Sequence, residues 1–268
     1  MNHYFKHLSL FLLLALFSSG SHAKTVVLIH GLNTDRQTWY KSHAVDGLLA
    51  SNFKDVTQSF FTDSHDDSAK LTKNKDVFYT VDLPWFEPLE TQATVLKEAL
   101  AFIYKQRNEP LVLVGHSVGG VVGRLYLLSN KPVPIDGLIT IASPHKGSPW
   151  AEATWLTLQS PMGEFINLMG DNNWTKSERL LWQLSPSVKH NMIHWMNDQP
   201  HPKLRYISII HTPSIKKMTA DMLVPALSQN MNYIPALFKR SAIISIRSGH
   251  SLSRRDGLML AKILGTFK

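Results

Sequence analysis

The chain has 268 residues, 44% of them hydrophobic and 18% charged, enough to bury one sizeable core. Its formal charge of +8 comes from scattered residues such as Lys216-Lys217, Lys239-Arg240 and Arg254-Arg255. They do not form the basic stripe that nucleic acid requires, and the absence of cysteine excludes disulfides and a lipidated N-terminal cysteine.

Residues 1–23 differ in kind from the rest of the chain. Lys6 and His7 precede an uninterrupted apolar run from Leu8 to Phe17, and Ser21-His22-Ala23 ends it. A charged start, a short apolar core and a small-x-small ending describe a secretory signal peptide, with cleavage expected after Ala23. The run is shorter than the roughly 20 apolar residues a membrane span needs, which makes an uncleaved anchor the lesser alternative. The expectation is an exported protein, periplasmic or secreted, whose basic surface allows at most transient contact with an anionic membrane.

The mature part, residues 24–268, opens at once on Thr25-Val26-Val27-Leu28-Ile29, a buried strand, followed by His30-Gly31-Leu32. Asp35 to Ala50 contains a helix, and the polar stretch from Ser51 to Lys75 reads as loop. Val77 to Val81 is a second strand, and Leu89 to Lys105 has helical spacing. Leu111 to Val114 reads as a third strand. It runs into Gly115-His116-Ser117-Val118-Gly119, after which the residues form a helix up to Asn130 and Pro132. Asp136 to Ala142 is the next strand. Ser143 to Pro202 carries no clear strand and reads as a helical insertion. Leu204 to Ile210 and Ala242 to Arg247 are two more strands, and Ser253 to Phe267 closes the chain as a helix. Alternating strands and helices predict a mostly parallel, doubly wound sheet with helices on both faces. In such sheets the site lies at the carboxyl ends of the strands.

The G-x-S-x-G pattern at Gly115 to Gly119 carries the chemistry. A serine on a tight strand-to-helix turn needs glycines two before and two after, because strand and helix approach closely there. Such a turn lifts the Ser117 hydroxyl clear of the sheet and leaves the helix N-terminal N–H groups beside it. A hydroxyl is a weak nucleophile and requires a histidine base oriented by a carboxylate. Of 13 histidines, His30 and His116 are better read as structural. His250 follows a strand and precedes the last helix, and His211, also after a strand, is its rival. Asp136 lies at the wrong edge of the sheet, and Asp256 follows the histidine. Asp221 lies in the loop beyond Leu204–Ile210. Ser117, Asp221 and His250 then stand in the order expected after such an elbow. The N–H groups of Val118 and Leu32 are the expected oxyanion donors.

With these residues in place, the chain resembles the lipase-like α/β-hydrolases. His30-Gly31-Leu32, Val81-Asp82-Leu83-Pro84 and Ala142-Ser143-Pro144-His145-Lys146-Gly147-Ser148 match that group, the last being similar to a T-P-H-x-G-S stretch. The resemblance implies an α/β-hydrolase fold with a helical cap at about residues 148–203. It also implies a serine esterase acting on carboxylic or lipid-like esters, without a cofactor. A thioesterase or acyltransferase on the same triad, or a non-catalytic binding protein on the same fold, are the alternatives. The sequence also departs from the pattern. Met222 and Trp85 stand where many relatives have glycine. Leu252 replaces the carboxylate that helps hold calcium in some secreted lipases, so no calcium site is expected. The insertion holds five of the seven tryptophans together with Met162, Met169, Met192 and Met196, which suggests an apolar acyl cleft.

Overall fold

The computed structural model describes residues 23–58, 74–129, 132–168, 172–212 and 223–267. The apolar run of the signal segment and Asp221 therefore lie outside the described residues. Seven parallel strands form one sheet in the order β2-β3-β1-β4-β5-β6-β7. They are β1 (Thr25–Ile29), β2 (Lys54–Asp55), β3 (Val77–Val81), β4 (Leu111–His116), β5 (Ile135–Ile141), β6 (Arg205–Thr212) and β7 (Ser241–Arg247). Strands β1, β3 and β4 are buried along their whole length, as expected where both faces of a parallel sheet are covered.

The two faces make two cores. On one, Val27, Ile29 and Leu113 pack against α3 (Leu89–Arg107) and α4 (Val118–Leu127) through Leu96, Leu100, Val121 and Val122. On the other, Val26, Leu28 and Val114 meet α1 (Thr38–Lys41), α2 (Asp46–Ala50) and the C-terminal helix α11 (Arg254–Leu264). Between β5 and β6 the described residues form five helices: α5 (Pro149–Leu158), α6 (Pro161–Leu168), α7 (Asn172–Lys176), α8 (Glu178–Gln183) and α9 (Met192–Asp198). The short α10 (Ala226–Gln229) precedes β7.

Two details differ from the sequence reading. The single helix expected in 35–50 is two short ones, because His43 takes φ 60° and breaks the run. Strand β2 adds an edge to the sheet within a stretch read as loop. Its two residues are exposed and carry no apolar pattern.

The sheet order also fixes the place of the site. Strand β1 lies between β3 and β4, so the chain direction across the sheet reverses there, opening a crevice beyond the carboxyl ends of β1 and β4. Gly31-Leu32 and Ser117 stand at those two ends.

Candidate active site

Ser117 sits between β4 and α4 at φ 51°, ψ −128°, a region that costs a non-glycine residue about 1–3 kcal/mol. The surrounding packing holds it there. Its N–H donates to the Ile141 carbonyl at 2.8 Å, and its carbonyl accepts from the Gly120 N–H at 3.1 Å. A side chain at Gly115 would collide with the Gly120 backbone, and one at Gly119 with the His30 carbonyl oxygen. The glycines of the motif are therefore set by close approach.

His250 lies in the loop between β7 and α11, and its Nε2 is 2.9 Å from Ser117 Oγ, so the hydroxyl can donate to the imidazole. The loop is held from the elbow side too. His116 Nε2 donates to the His250 carbonyl at 2.9 Å, which fixes the His116 tautomer. Burial, and then the neighbouring His250, push the His116 pKa down to about 3, so it is a neutral structural donor.

The loop after β1 closes the other side. A Cβ on Gly31 would lie 2.8 Å from the Ser117 Cβ, which places this backbone directly against the serine. His30 shapes the turn. Its Nδ1–H donates to the Gly31 carbonyl at 3.0 Å, while its Nε2 accepts the Leu83 N–H at 2.9 Å. Burial holds its pKa below the usual histidine value.

Leu32, Ser117, Val118 and His250 line one cleft of about 630 Å³, within the range of small-molecule sites. Asp221, the third member expected from sequence, lies outside the described residues. The segment just after it is described: Leu223 and Val224 line the same cleft. Their carbonyls are pinned, Leu223 by the Ser148 hydroxyl at 2.5 Å and Val224 by the Gln229 amide at 2.8 Å.

The cleft has a mixed lining. Trp150, Trp174, Leu184 and Leu252 are its apolar members, with Trp150 and Trp174 edge to face at 5.9 Å. Asn33, Thr34, Thr38 and Lys41 are polar members. The methionines of the insertion contribute less than their number suggests. Met196 is fully buried in the core and Met192 packs against it, whereas Met162 is 57% exposed. Met169 lies outside the described residues.

Sequence reading missed Arg124. This guanidinium is fully buried on α4 and donates to Asn197 Oδ1 on α9 at 2.7 Å, joining the cap to the elbow helix. Burial pushes its pKa down to about 9. An arginine in an otherwise apolar helix face was the available signal.

Three comparisons bear on this geometry. The family described as PGAP1-like alpha/beta domain matches residues 21–194. The chain is 33% identical over 114 residues to a GPI inositol-deacylase of Debaryomyces hansenii, covering 38% of this chain and 11% of that protein. It is 33% identical over 97 residues to a GPI inositol-deacylase of Kluyveromyces lactis, covering 29% and 10%. The chain thus matches only about a tenth of the length of these curated relatives. Among solved structures, the mature lipase BlEst2 of Bacillus licheniformis superposes with a TM-score of 0.62 at 16% identity, covering 92% of this chain and 93% of that one. The lin2722 product of Listeria innocua gives 0.54 at 16% identity, covering 92% and 95%. At such identities the likeness concerns the fold, which is that of the α/β-hydrolases.

Proposed function

Because the chain belongs to the PGAP1-like α/β domain family, a lipase-like branch of the α/β-hydrolases, we propose that it is a serine hydrolase cleaving carboxylic esters of amphipathic, lipid-like molecules. The observation that carries the reading is the 2.9 Å contact between Ser117 Oγ and His250 Nε2 in the lining of a mostly apolar cleft. In the proposed cycle Ser117 attacks the ester carbonyl while His250 takes the hydroxyl proton and then delivers it to the leaving alcohol. Asp221 orients the imidazole. The N–H groups of Val118 and Leu32 stabilise the oxyanion of the tetrahedral intermediate. Water, deprotonated by His250, then releases the acid from the acyl-enzyme. The curated relatives are named as deacylases, which supports acyl removal as the reaction class.

The apolar lining gives the reading a test. Each methylene buried against Trp150, Trp174 and Leu184 in the transition state contributes at most about 0.8 kcal/mol, or roughly fourfold in kcat/KM. A series of p-nitrophenyl esters, each below its micelle threshold, should show kcat/KM rising from acetyl to medium-length acyl groups and then levelling. A steady fall from acetyl onward contradicts the lipid-like substrate while leaving an esterase intact.

A further inference from the structure

Three buried side chains outside the proposed triad form one polar network behind it. His211, at the end of β6, and Asp256, in the first turn of α11, are both fully buried, and His211 Nε2 lies 2.7 Å from Asp256 Oδ1. The second oxygen, Asp256 Oδ2, accepts from the Ser253 N–H at 2.8 Å and the Ser253 hydroxyl at 2.7 Å. On its other edge His211 Nδ1 is 2.6 Å from the Gly249 carbonyl. A carbonyl only accepts, so Nδ1 carries a proton. The third member is Gln229. Its Oε1 accepts the His211 N–H at 2.7 Å, and its amide donates to the Val224 carbonyl at 2.8 Å.

This network converges on the peptides that flank His250. The Gly249 carbonyl is held by His211, and the His250 carbonyl is held by His116. The base therefore hangs from a backbone gripped on both sides by other histidines. Capping α11 does not require a histidine with no solvent exposure. Exposed serine and aspartate cap helices unaided, and burying an ionisable pair brings a desolvation cost. What the pair adds is a fixed position for Gly249, and with it for the His250 ring.

We propose that His211 and Asp256 are a positioning pair that sets the His250 backbone for proton transfer, and that Gln229 extends the same network to the segment following Asp221. The proposal rests on the serine-hydrolase reading. Neither residue touches the reacting atoms; both act through the loop.

The test is turnover per active site, with sites counted by labelling to completion with a fluorescent fluorophosphonate. The double variant His211→Met/Asp256→Asn removes the donor to Gly249 without stranding a buried charge. Its kcat per titrated site should fall about 10- to 100-fold, the scale of a roughly 1 Å displacement of a catalytic group. KM should stay within about threefold. Two single variants cover the case in which the double one does not fold. The amide nitrogen of His211→Asn overlays Nδ1 and keeps the Gly249 bond, so it should retain turnover within about fivefold. His211→Gln places its amide at the Nε2 position and loses that bond, so it should match the double variant. A lowered melting temperature with wild-type kcat per titrated site in the double variant, or equal turnover in His211→Asn and His211→Gln, overturns the proposal. A wild-type chain that takes no label refutes the underlying serine-hydrolase reading instead.

Discussion

Replacing Ser117 by alanine should leave a folded protein whose ester hydrolysis is lower by about 10⁴-fold or more, a loss of roughly 5 kcal/mol of transition-state stabilisation. The magnitude follows from the proposed chemistry. Without the hydroxyl no acyl-enzyme forms, and what remains is binding and any oxyanion stabilisation acting on water. The fold should tolerate the change because Ser117 is positioned through its backbone bonds to Ile141 and Gly120, which alanine keeps. Both serine and alanine are strained at φ 51°, so neither gains from the swap. The measurement is kcat/KM with purified variant on its best p-nitrophenyl ester, beside its thermal melt. Turnover within tenfold of wild type in a folded variant contradicts the mechanism.

Mild acid should weaken the protein before carboxylate titration alone would. His116 is buried and its folded pKa is about 3, against about 6.5 for a histidine in an unfolded chain. Between those values the unfolded state binds a proton that the native state refuses, so stability falls as pH falls through that window. The slope is about 1.4 kcal/mol per pH unit, which gives nearly 3 kcal/mol by pH 4.5. His201 acts in the same sense, pushed down to about 4 by burial and then by Arg124. Burial holds His145 and His30 down as well. Burial alone would raise the Asp256 pKa, but its bonds to His211 and Ser253 outweigh that and leave it lowered. Its contribution is therefore present above the ordinary carboxylate range and lost below it. Against a typical stability of about 5–15 kcal/mol these losses are large. Urea unfolding at pH 7.5, 5.5 and 4.5 should show the midpoint falling steeply over the two lower values. A midpoint unchanged down to pH 4.5 contradicts the account of these histidines as buried and neutral.

Much of the fold was legible because buried parallel strands leave a plain mark. Thr25–Ile29, Val77–Val81 and Leu111–Val114 are largely apolar runs, and all lie in strands buried throughout, the third running on through Gly115 and His116. Strand β2 left no such mark, since pairing with β3 through exposed Lys54 and Asp55 is a property of the sheet and not of local sequence. The meeting of Ser117 with His250 was legible because the strand-end rule removes most other histidines. The partner of His211 was not, because Asp256 is 45 residues away and its own neighbours spell an ordinary helix cap. The cap shows the same limit. Composition marks it as apolar, but whether a side chain such as Met196 faces the cleft or the core depends on how α9 docks.

In the proposed mechanism one hydroxyl, Ser117 Oγ, is the nucleophile. It is tested most directly by treating the folded protein with a fluorophosphonate and locating the adduct by peptide mass spectrometry while ester turnover is followed in the same sample. A single adduct on Ser117, accumulating in step with the loss of turnover, is the predicted result. Full labelling of Ser117 with turnover retained, or inactivation by an adduct on another residue with Ser117 unmodified, would contradict it.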